Sequence, residues 1–210
     1  MPTYNRKDDL SAAFNSFWQE ALNSNEDYYS KLTLKEFVML KKAITNINNI
    51  VTMLATEGFI HTLRNDGVIS SQQEAEMLQQ LLATHANTNG FDVEYNKEVK
   101  IVAEVKCNIP VNETSFGAAQ EKSIMEDVDH LFHSKKKSDL TSEDIQDYYK
   151  FMVFLDVENV ENGLDVKNVR ISTQKLIRKL TKKGLNVTEY TPKTKLQKDI
   201  VYFIYISTEK

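Results

Sequence analysis

The first third of the chain has the hydrophobic spacing of helices. Apolar residues recur at every third or fourth position from Leu10 to Leu22, and Asp8 or Asp9 can cap this segment at its start. The same spacing extends from Leu34 to about Leu63, which predicts one long helix or two. We therefore expect a helical N-terminal region over residues 1–68, whose first helix buries a face made of Leu10, Phe14, Phe17, Trp18 and Leu22.

One more helix is expected before the pattern changes. Asn65-Asp66-Gly67 predicts a turn, and Ser71 with Glu74 has the Ser-x-x-Glu spacing of a capping box. A helix should then run from Ser71 to about His85 and bury Leu78, Leu81 and Leu82.

From Phe91 onward the apolar period becomes that of strands. Apolar and polar residues alternate from Phe91 to Asn96, which is typical of a strand buried on one face. Lys97 turns the chain, and Ile101–Val105 is rich in apolar and β-branched residues, as a strand covered on both faces would be. Pro110 ends this second segment.

Helices and strands alternate in the rest of the chain. Thr114 or Ser115 can cap a helix whose inward stripe is Phe116, Gln120, Ile124, Val128 and Leu131. Strands are expected over Phe151–Leu155 and Ile200–Ile206, with Asn162-Gly163 in a loop and a basic helix over Gln174–Lys183 between them. This order predicts an α/β fold in which helices flank a mixed β-sheet over residues 69–210. We expect it to form a single domain with the N-terminal helices, over residues 1–210.

Composition and charge narrow the classes of function. The single cysteine, Cys107, excludes intramolecular disulfides and zinc sites built from several cysteines. A net charge of −4 counts against a simple non-specific binder of nucleic acid, although basic residues concentrate at Lys135, Lys136 and Lys137. No apolar run approaches the roughly 18 residues of a membrane span, and Met1–Leu10 lacks a signal peptide's apolar stretch, so we expect a cytoplasmic protein with no membrane partner.

Two charged residues interrupt the strand with the most buried pattern. An unpaired charge in a core is strongly destabilising, so Glu104 and Lys106 need an explanation. Both side chains leave the same face of the strand, about 6.6 Å apart along the backbone. Asp92 precedes Glu104 by twelve residues, and an antiparallel turn would bring it alongside. Glu94 shares the face of Asp92 and could serve in its place, although the spacing favours Asp92.

Two carboxylates beside an ammonium group suit the hydrolysis of a phosphodiester. Mg²⁺ binds carboxylate and carbonyl oxygens and keeps several waters. Such a metal neutralises the phosphate and helps to generate a nucleophile from water. A lysine can hold or deprotonate that water, or offset charge on the phosphoryl group. The pattern therefore predicts a metal-dependent phosphodiesterase.

Three features follow one another along the chain. They are Asp92, the tripeptide Glu104-Val105-Lys106, and a capped helix that begins Phe116-Gly117-Ala118-Ala119-Gln120. This series resembles the PD-(D/E)xK phosphodiesterase superfamily, in particular type II restriction endonucleases, although Phe91 stands where the family's proline would be. The resemblance extends from Ser71 to the end of the sequence. It implies a restriction-endonuclease-like mixed sheet, Mg²⁺ as cofactor with Mn²⁺ able to substitute, sequence-specific cleavage of double-stranded DNA, and a homodimer.

The resemblance also implies roles for individual residues. Asp92 and Glu104 would bind the metal, the carbonyl group of Val105 would be a third ligand, and Lys106 would be the catalytic lysine. Gln120 would lie near the scissile phosphate, because related enzymes often place a polar residue there. Glu74 would be an additional metal ligand on the helix before the first strand, although the capping box accounts for it equally well.

Other functions fit the same residues. Repair nucleases, junction-resolving enzymes and exonucleases of the superfamily would use the same metal site. A non-catalytic, nuclease-like interaction protein would keep Glu104 and Lys106 as a buried ion pair. His130 and His133 lie three residues apart on one helix, but no third ligand at a suitable spacing accompanies them, so we do not expect a transition-metal site there.

Overall fold

The structure, a computed structural model, describes residues 5–85, 90–110, 115–136, 138–156 and 169–207. Its contacts divide the chain into two compact units, Met1–Ile47 and Asn48–Lys210. The first unit holds three helices: α1 (Arg6–Ala21), α2 (Tyr28–Lys31) and α3 (Leu34–Ile44). The cap of α1 is Asn5, not Asp8 or Asp9, because the Asn5 side chain accepts a hydrogen bond from the backbone N–H of Lys7 at 3.0 Å.

Aromatic contacts, not a buried core, join the helices of the first unit. The ring centroid of Phe14 lies 5.2 Å from that of Phe37, and no residue of α1, α2 or α3 is fully buried. The prediction that α1 buries a continuous face is therefore wrong, since Leu10, Phe17 and Leu22 are 53%, 61% and 55% exposed. Three short helices offer too little surface to enclose all of these side chains.

The second unit is built around a five-stranded sheet. Its helices are α4 (Ile47–Asn65), α5 (Ser71–Ala83), α6 (Ala118–His133) and α7 (Val169–Lys182), with a 3₁₀ turn at Asp144–Asp147. Its strands are β1 (Val93–Asn96), β2 (Lys100–Lys106), β3 (Tyr149–Asp156), β4 (Val187–Glu189) and β5 (Val201–Ser207). The spatial order is β1-β2-β3-β5-β4. Only β1 runs antiparallel to its neighbour, so the prediction of a mixed sheet flanked by helices is confirmed.

Two apolar clusters cover the two faces of this sheet. Ile101, Ala103 and Val105 of β2 pack in the cluster that contains residues of α4 and α5. Val102 packs in the opposite cluster, with residues of α6 and α7. Because both faces of β2 are covered, a charged side chain in the middle of this strand, such as that of Glu104, is buried. Among the described helices, none is long and apolar enough to cross a membrane.

The cap of α5 lies one residue earlier than the sequence suggested. Ser70 is the cap, since its hydroxyl oxygen accepts from the N–H of Gln73 at 3.2 Å, and the Gln73 side chain accepts from the N–H of Ser70 at 2.8 Å. Glu74 therefore has no part in the capping box. The buried stripe of α5 passes through Met77, and Leu82, five positions later, faces away and is 76% exposed, contrary to its predicted burial.

The segment from Leu34 to Leu63 forms two helices, one of the two alternatives that the sequence predicted. Another boundary differs from the prediction, because Gly117 caps α6 in place of Ser115. β4 was not predicted, because three residues are too few to show a period of two. Thr114 and the Asn162-Gly163 pair lie outside the described residues.

Candidate active site

The hairpin of β1 and β2 brings Asp92 next to Glu104. Val93 pairs with Ala103 in the antiparallel ladder, so the residue before Val93 comes beside the residue after Ala103. The chain bends at Asp92, and Phe91 consequently packs with the α6 and α7 cluster, not with Val93 as the alternating pattern predicted. This bend lies directly before β1 and turns Asp92 toward the carboxyl end of β2.

Asp92 is fixed to the edge of β2 by a hydrogen bond. Its Oδ2 atom accepts from the backbone N–H of Val105 at 2.7 Å. The residue as a whole is exposed, yet burial of the carboxylate is the largest influence on its pKa and raises it, so the carboxylate itself faces inward. The N–H and the carbonyl of one strand residue point to the same side, so the Val105 carbonyl is directed toward the same edge as Asp92.

Glu104 is a buried carboxylate whose charge is only partly compensated. The residue is 3% exposed, and burial, followed by the nearby charge of Asp92, raises its pKa to about 8. Its Oε1 atom lies 2.5 Å from the Nζ atom of Lys135. That contact does not have the angles of a hydrogen bond, and no other described group donates one to this oxygen. A buried oxygen in this state favours a cation as its partner.

Lys106 is held by a carboxylate that the sequence analysis did not include. Its Nζ atom lies 2.5 Å from Oδ2 of Asp127 on α6, and the two side chains are 17% and 14% exposed. Asp127 lies one turn after Ile124 and one turn before Leu131, both of which are fully buried. An aspartate beside the inward stripe of a helix was therefore the signal in the sequence that could have identified it.

Lys135 is the second site residue that the sequence analysis missed. It follows α6, after Ser134 with φ of 70°, and its side chain is 20% exposed. Besides its contact with Glu104, Nζ donates a hydrogen bond to the carbonyl of Gly90 at 3.1 Å and lies 5.1 Å from the ring centroid of Phe91. In the sequence it belongs to a run of three lysines, which is typical of a solvated surface.

The site contains three carboxylates and two ammonium groups. When all are ionised, Asp92, Glu104 and Asp127 contribute −3 and Lys106 with Lys135 contributes +2, which leaves −1. No group of three or more His, Cys, Asp or Glu side chains within the described ranges is arranged to hold a metal ion. The candidate ligand set is smaller: two carboxylates and the Val105 carbonyl, with water for the remaining positions. The residual negative charge and the buried Glu104 oxygen fit a divalent cation.

Two other predicted acidic residues have different surroundings. Glu94 pairs with Val102 in the ladder and accepts a hydrogen bond from the Ser138 hydroxyl at 3.4 Å. Its pKa is raised by burial and by the charge of Asp139, and Asp92, not Glu94, affects Glu104. Glu74 lies 2.7 Å from Nδ1 of His61 and 3.7 Å from Nε of Arg64, its ion-pair partners among the described residues.

The two histidines of α6 also have separate surroundings. Nδ1 of His133 lies 3.1 Å from Oδ1 of Asp129. Nδ1 of His130 lies 3.9 Å from Oδ1 of Asp127, too far for a hydrogen bond. The pair does not share a metal-binding arrangement in the part of the chain that is described.

Gln120 uses its side chain to cap α6. Its Oε1 atom accepts from the backbone N–H of Gly117 at 3.0 Å, and its Nε2 atom donates to the carbonyl of Ile109 at 3.3 Å. These two bonds account for a polar residue on an otherwise apolar stripe.

Replacing Gln120 with alanine is expected to destabilise the protein by about 1 kcal/mol, because the backbone N–H of the cap residue Gly117 loses its acceptor. Urea unfolding measures this loss, and Gln120→Glu, which can also cap, is expected to retain most of the stability. Binding of Mg²⁺ is expected to stay within a fewfold of wild type in Gln120→Ala. A folded Gln120→Ala protein that no longer bound Mg²⁺ would contradict a capping role alone.

Comparison with known proteins identifies no relatives. No protein-family model matches the chain, and no curated protein and no solved structure is significantly similar to it.

Proposed function

We propose that this protein is a Mg²⁺-dependent phosphodiester hydrolase that cuts double-stranded DNA, of the restriction endonuclease type. The observation that carries the proposal is the buried Glu104 carboxylate, which lies beside a second carboxylate, Asp92, and has an oxygen without a hydrogen bond. Burial raises the pKa of both carboxylates, and the charge of Asp92 raises that of Glu104 further, so a cation between them is favoured. Lys106, two residues along the same strand, supplies the ammonium group that phosphodiester hydrolysis needs.

Asp92 and Glu104 would hold the metal, with the Val105 carbonyl as a third protein ligand. The hydrogen bond from the Val105 N–H fixes the Asp92 carboxylate before any metal binds, so little side-chain freedom is lost on binding. A bound Mg²⁺ supplies neutralisation of the phosphate and acidification of a water molecule.

Lys106 would hold the attacking water or offset the charge that develops on the phosphoryl oxygens. Its contact with Asp127 places an oppositely charged group beside the ammonium group. The surrounding apolar clusters restrict water around the site, which strengthens each of these charge interactions.

The phosphodiester chemistry is inferred from the charges of the site, whereas the choice of DNA, sequence-specific internal cleavage and a homodimer rest on the resemblance. A test incubates the protein with supercoiled plasmid and linear DNA in Mg²⁺, with EDTA as control. Discrete, reproducible fragments are the expected result. Progressive trimming of linear ends would instead favour an exonuclease with the same metal site, and cleavage at branched DNA alone would favour a junction-resolving enzyme.

A non-catalytic function is the second candidate, because four charged residues of the site already form two pairs of opposite charge. Glu104 contacts Lys135, and Lys106 contacts Asp127. A closed network of this kind can serve to fix α6 on the sheet of an interaction protein. In that case the protein would leave all of these DNA substrates intact, with or without Mg²⁺.

A further inference from the structure

We infer that Lys135 is an exchangeable counter-ion: it pairs with the ionised Glu104 carboxylate in the metal-free protein, and its ammonium group passes to a substrate phosphate when a divalent cation binds. The inference rests on the proposed function, since it takes Asp92 and Glu104 as metal ligands. It assigns Lys135 as a substrate-binding residue.

The contact between Lys135 and Glu104 is one that a metal can replace. Nζ and Oε1 are 2.5 Å apart, outside the angular range of a hydrogen bond, and the charge of Lys135 is its larger effect on the pKa of Glu104, so the attraction is mainly one of charge. Mg²⁺ carries a larger charge than an ammonium group and binds carboxylate oxygens directly. The metal and Lys135 therefore compete for the same oxygen of Glu104.

Lys135 has two further contacts that do not depend on a carboxylate. It donates to the Gly90 carbonyl and lies over the ring of Phe91, and both of these groups precede Asp92 directly in the chain. These contacts can keep the ammonium group beside the site after Glu104 has exchanged it for a metal. The side chain is partly exposed, and its flexible stem allows the nitrogen to move toward solvent.

The charges favour transfer of the ammonium group to a phosphate. When all are ionised, the three carboxylates and two lysines sum to −1, and a divalent cation changes this sum to +1. If Lys135 does not move, repulsion between its charge and that of the metal disfavours metal binding. An anionic phosphodiester can instead bind both the metal and the Lys135 ammonium group. Binding of the metal therefore favours binding of the phosphate, and each weakens the contact between Lys135 and Glu104.

The first test measures binding of Mg²⁺ alone by titration calorimetry at pH 9, so that a proton on Glu104 does not compete. Lys135→Met and Lys135→Gln are compared with wild type, and Lys136→Met, at the exposed neighbouring lysine, is the matched control. Both Lys135 variants are expected to bind Mg²⁺ on the order of tenfold more tightly. Lys135→Gln keeps a donor for the Gly90 carbonyl, so it serves as the test if the methionine variant does not fold.

The second test measures the affinity for a duplex oligonucleotide as a function of salt, with Ca²⁺ or with EDTA. In Ca²⁺, Lys135→Met is expected to bind more weakly than wild type and to show a salt slope smaller by about one, since one phosphate contact is lost. In EDTA, where Lys135 stays with Glu104, the slopes of the two proteins are expected to agree.

Two results would overturn the inference in distinguishable ways. If wild type binds Mg²⁺ and Glu104→Gln does not, but the Lys135 variants bind the metal no more tightly than wild type, Lys135 is a permanent structural partner of Glu104. If wild type binds no Mg²⁺, the proposed function fails together with the exchange.

Discussion

Replacing Glu104 with glutamine is expected to reduce Mg²⁺-dependent DNA cleavage at least about a thousandfold. Glutamine keeps the size of the side chain but removes the charge that would hold the metal, and a metal contributes several kcal/mol to stabilising the transition state. The fold should survive, because a neutral group suits a site in which burial already raises the pKa of Glu104 to about 8. Initial rates of plasmid cleavage measure the effect.

Lys106→Met belongs to the same experiment and is expected to lower the rate about a hundredfold or more, in the range typical of a lost acid or base group. Two variants are matched controls. Glu94→Gln changes the rival carboxylate on β1, and Lys100→Met changes the lysine at the other end of β2. Both are expected to cut within a fewfold of wild type.

The outcomes of this experiment separate the alternatives. If Glu94→Gln abolished cleavage and Asp92→Asn did not, Glu94 would be the ligand in place of Asp92. Cleavage at full rate by Glu104→Gln or by Lys106→Met would rule out the mechanism.

The metal-free protein is expected to lose stability as the pH rises from about 5 to 8. Glu104 has a folded pKa of about 8 and an ordinary value of 4.5, so between these values the folded protein binds a proton that the unfolded chain has released. The free energy of unfolding therefore falls with rising pH across this window, by roughly 4 kcal/mol if Glu104 acts alone. The pKa of Asp92 is also raised by burial, and its contribution has the same sign.

Urea unfolding at several pH values in EDTA measures this loss. In Glu104→Gln, the free energy of unfolding is expected to depend much less on pH. In Glu94→Gln, most of the pH dependence should remain. Added Mg²⁺ is expected to restore stability at pH 8, because the metal binds the ionised carboxylates of the folded protein. A wild-type curve that rises with pH from 5 to 8 in EDTA would contradict the assigned state of Glu104.

The urea experiments are confined to pH values below about 8, because a second buried group affects the free energy of unfolding above that pH. Lys150 is fully buried, and burial lowers its pKa to about 8. Above that value the unfolded chain binds a proton that the folded protein does not, so the Lys150 contribution increases stability with rising pH. Its Nζ atom donates to the carbonyls of Tyr148 and Lys198.

Glu104 and Lys106 could be identified from the sequence because the evidence for them is local. A central strand shows itself by a short run of apolar residues, and two charges within that run stand out against it. Asp92 followed from the hairpin, in which strand pairing depends on a short turn. The mixed sheet and its flanking helices followed from the order of elements along the chain.

Asp127 and Lys135 could not be found in the same way, because their roles depend on how α6 packs against the sheet. Asp127 is 21 positions from its partner Lys106, and Lys135 is 31 positions from Glu104. Nothing in the local spacing fixes which face of α6 meets the end of β2. The cap of α5 shows a smaller form of this problem, since Ser70 with Gln73 and Ser71 with Glu74 have the same spacing and only the structure distinguishes them.

The position of a bound Mn²⁺ shows whether Asp92 and Glu104 together hold a divalent cation. Crystals grown with Mn²⁺ and measured for anomalous scattering locate the ion independently of any activity. We predict one ion with an oxygen of each carboxylate at about 2.1 Å, and with the Val105 carbonyl in its coordination shell. Full occupancy of Mn²⁺ elsewhere, with Lys135 still in contact with Glu104, would show that Asp92 and Glu104 do not form the metal site.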